Sequence, residues 1–244
     1  MEIGEKNYSR MRIRDIWACC MAGMMLLAIA GCDFPRDAED TLERVRGGEL
    51  RVGVSENPPW VHLTDGRVEG IEPALLHGLA EQLGARIRWI RGTEAELIEA
   101  LRRRELDLVA AGLKANTPWS SRLGRSRPYL TTHVRIGIRP GGRMPSDWTG
   151  ERVAVDADRP RLMALVRAEG AEPVPAEGQQ PAAIARYDFE LEVAGLELAD
   201  LDLAKEKHVL AVPPGESAFL FVLDRYLKDR GEASMRRFAA EAAP

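Results

Sequence analysis

The chain has 244 residues, with 34 Lys and Arg against 38 Asp and Glu and a formal net charge of -4. Hydrophobic residues make up 45% and charged ones 30%, and the mean hydropathy is -0.25, which excludes a polytopic membrane protein, a disordered chain and a disulfide scaffold. There is no basic surplus to neutralise phosphates, so no nucleic-acid partner is expected. The length allows one large domain or two small lobes.

Residues 16–30 (IWACCMAGMMLLAIA) form an uncharged apolar run of 15, preceded by Arg12 and Arg14. A membrane span needs about 20 residues, whereas a secretory signal needs a shorter core such as this one. Ala30-Gly31 before Cys32 resembles the lipobox of bacterial lipoproteins. That resemblance implies cleavage before Cys32, a diacylglycerol thioether on its sulfur and an acylated amine, palmitate being the expected chain. The competing reading is a buried helix beside an ordinary cysteine. Residues 1–31 are thus expected to be a signal peptide, with Met11 as an alternative start because residues 1–10 are acidic for such a segment. Cys19 and Cys20 would leave with it, so neither an intrachain disulfide nor a thiolate metal site is expected. Asp33 resembles the inner-membrane retention signal of enterobacterial lipoproteins. The expected place is the periplasmic or cell-surface side, with the membrane touched through the lipid alone.

Residues 32–42 read as a polar tether. Helical spacing starts at Thr41 and stops at Gly47-Gly48, and Leu50 to Val54 alternates as a strand that runs into the loop Glu56-Asn57-Pro58-Pro59-Trp60. Thr64 to Arg67 is a tight turn. Leu75, Leu76, Leu79 and Leu83 predict a helix from Glu72, stopped by Gly84. Arg86 to Ile90 alternates again. Thr93 with Glu96 forms a capping box for a helix through Arg104, and Leu106 to Leu113 is a strand buried on both faces. The order β-α-β-α-β predicts a parallel sheet with helices on its faces. Beyond Pro128 come strands at 132–138, 152–155, 172–175, 182–187 and 208–213, with helices at 161–168, 189–196, 216–227 and 232–242. The extended segments 132–138 and 208–213 predict two lobes joined by two crossing strands.

Four blocks in order, TLERVRGGELRVGVSENPPWV, DGRVEGIEPALLHGLAEQLG, ELIEALRRRELDLVAAGL and SRPYLTT, resemble the extracytoplasmic solute-binding proteins of polar amino acid ABC importers, family 3. The resemblance covers roughly residues 41–138 and continues more weakly beyond. It implies an α/β fold of two lobes, periplasmic-binding-protein-like (type II), with a cleft between lobes and a hinge of two crossing strands. The expected boundaries are 43–133 with 214–244 for lobe I and 134–213 for lobe II. Ala176 to Pro181 is too short for the helix the family fits there, so lobe II is expected to be abbreviated.

By the same resemblance Trp60 holds the place of the aromatic that stacks on the ligand, against the reading of a core plug beside Pro58-Pro59. Glu72 falls where the family has an acidic residue at the cleft edge, or serves the helix dipole. Gly112, Lys114 and Asn116 follow the third strand, where open α/β sheets bind ligands. Amino acid binders carry there a Thr and, three residues on, an Arg that clamps the α-carboxylate. This chain has Asn116 and Trp119 instead, with Arg122 as the nearest arginine, either reaching in or on the surface. Trp119 offers a second stacking wall. The family's Gly-Ser-Thr donor loop is replaced by Asp156 to Pro160, where the two carboxylates Asp156 and Asp158 favour a cationic or hydroxylated ligand or Asp158 caps the next helix, and Asp188 resembles the acidic partner of a ligand amine or is likewise a cap.

Three functions follow. The first is a lipid-anchored binding protein, expected to be a monomer, that captures a small polar solute for an ABC importer permease. The second is a ligand-sensing or accessory lipoprotein without transport. The third, the least supported, is a dehydratase acting on cyclohexadienyl substrates, which shares this fold. His62, His77, His133 and His208 are scattered without metal spacing, so neither metal nor cofactor is expected.

Overall fold

Leu50, Val52 and Val54 have no exposed surface, because they lie on strand β1 (Glu49–Val54) at the heart of a parallel arrangement. The computed structural model describes residues 36–64, 66–117, 122–177, 182–228, 230, 233 and 237. The segment expected to be a signal peptide, Cys32, Trp119 and nearly all of the helix expected at 232–242 lie outside these described residues.

After helix α1 (Thr41–Val45) and β1 come a hairpin of β2 (His62–Thr64) and β3 (Arg67–Glu69), helix α2 (Ile71–Leu83) and strand β4 (Arg86–Arg91). Helix α3 (Glu94–Arg102) and strand β5 (Leu108–Ala110) complete the β-α-β-α-β order. Thr93 and Glu96 form the expected capping box, Glu96 accepting from the Thr93 N–H at 2.9 Å. β1 pairs parallel with β4 and β5. The sheet is finished by β6 (Gly124–Arg125) and β12 (Ala211–Val212), in the order β4-β1-β5-β12-β6, with β12 antiparallel to both neighbours.

The second sheet has the order β11-β7-β10-β8-β9. Its strands are β7 (Leu130–Ile138), β8 (Arg152–Val155), β9 (Glu172–Pro175), β10 (Ala183–Tyr187) and β11 (Glu197–His208), with helices α4 (Pro160–Ala168) and α5 (Asp188–Val193) between them. Helix α6 (Ser217–Leu227) returns to the first sheet's side, where Phe219 and Leu223 are buried. The sheets are those of the two lobes of a type II periplasmic-binding-protein fold.

The strand expected at 208–213 is divided. His208 ends the second sheet and Ala211 enters the first, so the chain crosses back at Val209-Leu210 rather than after residue 213. The outgoing crossing is sewn to it: the Ser126 N–H donates to Leu210 O at 2.9 Å and the Tyr129 N–H to His208 O at 3.0 Å. β11, the longest strand, has no counterpart in the sequence reading. Its register shifts at Leu198/Asp202 and Asp202/Ala204 break the period of two that would have marked it. Residues 37–42, read as tether, are tied down, since the Asp37 carboxylate accepts the N–H groups of Leu42 and Phe219, both at 2.8 Å.

Asp107, 1% exposed, anchors the entry to β5. Its carboxylate accepts from the Arg51 N–H at 2.9 Å and from Arg51 Nη2 at 2.6 Å, and it pairs with Arg44. Those hydrogen bonds hold its carboxyl below the ordinary range in spite of burial. Replacing Asp107→Ala is expected to lower stability by about 2 kcal/mol in urea unfolding. The loss stays below that of a fully buried pair because Arg44 and Arg51 can turn to solvent.

Candidate functional site

The sequence Glu56-Asn57-Pro58-Pro59-Trp60 turns back on itself after β1. The Trp60 N–H donates to Asn57 O at 2.9 Å, and the Asn57 side chain donates to Ala111 O at 2.8 Å. The first N–H groups of α2 then find partners in the same turn, Ile71 to Pro59 O at 3.2 Å and Glu72 to Trp60 O at 3.1 Å. This packing drives the Trp60 ring beneath the surface, where it is 0% exposed.

Trp60 meets protein on the face expected to receive a ligand. The His208 ring stacks on it with centroids 3.7 Å apart, and Tyr187 and Phe189 meet it edge-on at 5.4 and 6.5 Å. Its Nε1 donates to Tyr187 Oη at 3.3 Å. Trp60 comes from the first lobe and Tyr187 and Phe189 from the second, so the aromatic cluster closes the cleft from within.

Glu72 is likewise inside, not at a cleft edge. It is 0% exposed, accepting from the Tyr129 hydroxyl at 2.6 Å and from the Gly112 N–H at 3.0 Å. Gly112 is required at its position: φ is 65°, and a Cβ would lie 2.4 Å from Asn57 Nδ2 and 2.5 Å from Trp60 Cδ1. Burial pushes the Glu72 carboxyl up to about 7, the two hydrogen bonds opposing it only in part. Burial also pushes the His208 imidazole down to about 3, helped by the nearby Lys114 charge. Its Nε2 lies 3.0 Å from Thr132 Oγ1.

Beside this cluster a cavity of about 240 Å³ opens between the lobes. Its charged lining comes from both: Glu56 and Lys114 from the first, Asp158, Arg159, Arg161 and Glu206 from the second. Two larger hollows, about 510 and 610 Å³, lie at the outer end of the second sheet and beside α6, and neither draws on both lobes. Of the residues expected from sequence, Trp60, Gly112, Lys114 and Asp158 line the interlobe cavity. Glu72 supports it from below through Gly112. Asn116 and Arg122 are exposed and do not line it. Asp188 opens α5 and its carboxylate accepts the Phe189 N–H at 3.0 Å, a local turn away from the cavity.

Sequence reading missed Arg159, Arg161, Tyr187, Glu206 and His208. Arg159 is committed to Glu190 by two bonds of 2.6 and 2.7 Å, and Asp156 to Arg186 at 2.8 and 3.0 Å. The Asp156–Arg159 loop is therefore held by ion pairs where the family was expected to offer backbone donors. Arg161 makes a close ion contact with Glu206, and Lys114 Nζ stands 4.0 Å from the same carboxylate oxygen. Exposed Lys205 and Lys207 alternate with buried Glu206 and His208, and because both buried members are polar the alternation does not read as a strand in the sequence.

These shifted groups predict opposing pH slopes. Glu72 has a folded value above its unfolded one, so its contribution is complete below 4.5 and is lost as pH rises through about 7. His208 has a depressed value, so its contribution is present above 6.5 and is lost as pH falls toward 3. Glu72→Gln is expected to remove the fall in unfolding free energy between pH 4.5 and 7, an effect on the order of 3 kcal/mol. Denaturant unfolding at a series of pH values would measure it, and unchanged slopes would refute the assignment.

Among the described residues no helix is long and apolar enough to cross a membrane, and no group of three or more His, Cys, Asp or Glu could hold a metal ion. The "Membrane-bound lytic murein transglycosylase F" of Aeromonas hydrophila subsp. hydrophila is 31% identical over 138 residues, 55% of this chain and 27% of that protein. The protein of the same name from Aeromonas salmonicida is 30% identical over equal shares. The chain thus spans about a quarter of the length of these curated relatives. In solved structures the fold recurs in an ancestral cationic amino acid solute binding protein, at 17% identity and TM-score 0.65, covering 84% of this chain and 100% of that one. It recurs in the L-cystine solute receptor of Neisseria gonorrhoeae, unliganded and open, at 17% identity and TM-score 0.61, covering 83% and 96%. Residues 50–233 match the family model of the bacterial extracellular solute-binding proteins, family 3, and the chain belongs to that family.

Proposed function

We propose that this chain is a lipid-anchored extracytoplasmic binding protein that captures a small polar solute between its lobes and delivers it to an ABC importer, without catalysis. The observation that carries the reading is the interlobe cavity, into which Lys114 brings a cation from one wall and Arg161 a second from the other, with the Asp158 carboxylate at the rim. Pockets that hold small ligands usually measure about 300 to 1,000 Å³, so a cavity of about 240 Å³ fits a small solute. With Arg122 exposed and off the cavity, the family's α-carboxylate clamp has no arginine there from the Asn116–Arg122 stretch among the described residues. Ordinary L-amino acids are therefore expected to bind weakly.

A thermal-shift screen against amino acids, amines, sugars and carboxylates tests the reading. A solute that binds the folded form alone raises stability by about 2.7 kcal/mol at a hundredfold excess over Kd. Any solute found should bind at least tenfold more weakly to Arg161→Ala. Full retention by that variant would move the site elsewhere.

The curated relatives favour a second reading, a ligand-sensing or accessory lipoprotein, since their name concerns murein and not uptake. Loss of solute uptake on deleting the gene would support the importer, and unchanged uptake the accessory role. Either reading places the chain on a membrane through Cys32. Cys32→Ser is expected to leave an unprocessed, unacylated precursor, and normal maturation would reject the anchor.

A further inference from the structure

Glu206 is a buried carboxylate, its side chain 3% exposed, standing in the lining of the very cavity assigned to the solute. One of its oxygens makes the close ion contact with Arg161 and lies 4.0 Å from Lys114 Nζ. The other is 3.5 Å from the Tyr187 hydroxyl and 3.7 Å from His208 Nε2. Arg161 belongs to the second lobe and Lys114 to the first, so one carboxylate draws a cation from each wall.

The other charges around the cavity are committed or peripheral. Glu56 accepts from the Leu63 N–H at 2.6 Å and contacts His62 Nδ1 at 2.8 Å. Arg159 is held by Glu190 and Asp156, and Asp158 is exposed at the rim. His208 is neutral under ordinary conditions, because burial disfavours its charged form. Within the cavity lining Arg161 and Lys114 therefore share the carboxylate of Glu206, with Glu94 as a further negative charge acting on Lys114 from outside that lining.

We infer that Glu206 is a built-in occupant of the anion position of the interlobe cavity, and that a solute bearing a carboxylate or phosphate group binds by displacing it from Lys114 and Arg161. The inference rests on the reading of this cavity as the solute site. A tethered carboxylate competes at an effective concentration that a free anion must exceed, and the apparent affinity falls by the fraction of molecules in which the position is open. Glu206 thereby sets the class of solute and raises the threshold concentration for capture.

Titration calorimetry with propionate and with inorganic phosphate, on the wild-type protein and on Glu206→Gln, tests this. Glu206→Gln keeps the shape and removes the competing charge, and it is expected to bind at least one of the two anions at least tenfold more tightly than wild type. The anion with the larger gain identifies whether the position suits a carboxylate or a phosphate. Adding Arg161→Gln should abolish the gain. Should Glu206→Gln fail to give a cooperative melting transition, Glu206→Asp reads the same competition, since it withdraws the charge by one methylene and should give a smaller gain in the same direction.

Equal anion affinity in wild type and variant, including no binding by either, overturns the inference. So does a solute amine that binds wild type and is lost in Glu206→Gln, because Glu206 would then be its receptor. If solutes from the screen depend on Arg161 while anion affinity ignores Glu206, this inference alone fails. If they ignore both Arg161 and Glu206, the solute-site reading fails with it.

Discussion

The stacking of Trp60 on His208 is the contact around which the lobes are arranged. A tryptophan removes about 150–250 Å² from water, which at ~25 cal/mol per Å² is worth about 4 to 6 kcal/mol when burial is complete. Here the partners are a histidine on the returning crossing strand and two aromatics of the second lobe. Contact between lobes is thus driven by the chain's own apolar surface, and the polar cavity is what remains beside it.

Burial on that scale dictates the electrostatics around it. Glu72 and His208 both lie where a charge is costly, and both move toward neutrality, the acid upward and the base downward. The Tyr129 hydroxyl links Glu72 to the outgoing crossing strand, and the Gly112 N–H links it to the loop after β5. The hinge region therefore has a protonation state of its own near neutral pH. Glu206, a few ångströms away, meets the same burial with cations from both lobes, and that arrangement is what gives the cavity its chemistry.

The second lobe answers a similar demand with ion pairs. Asp156 and Arg159 at the end of β8 are bound to Arg186 and Glu190, and the Ala157 and Arg159 N–H groups of the same loop donate within the chain. The cavity lining receives its cations instead from Arg161, in the first turn of α4, and from Lys114 opposite. The fold is that of the family, while the charged groups that line the interlobe cavity come from positions different from those expected of its amino acid clamp.

Local patterns settled much of the architecture. The leucines of Ile71–Leu83, the Thr93–Glu96 capping box and the alternation of Glu49–Val54 are statements about nearest neighbours in the chain, and the folded protein contains each of them. The family's motifs carried the two-lobed fold as well. The site was less legible. Trp60 and Glu72 were placed in the cleft by their position after the first strand and at the start of α2, and nothing in the sequence shows that a ring more than a hundred residues away, His208, covers the one, or that Tyr129 and Gly112 enclose the other. β11 was invisible because register shifts break its first half and the buried residues that end it, Glu206 and His208, are polar. The sequence by itself determined the elements and their order, since these depend on periodicity and capping within a few residues. The tertiary structure alone decided which charges meet in the cavity, because desolvation and ion pairing depend on neighbours brought together from Lys114, Arg161 and Glu206 by the crossing of two strands.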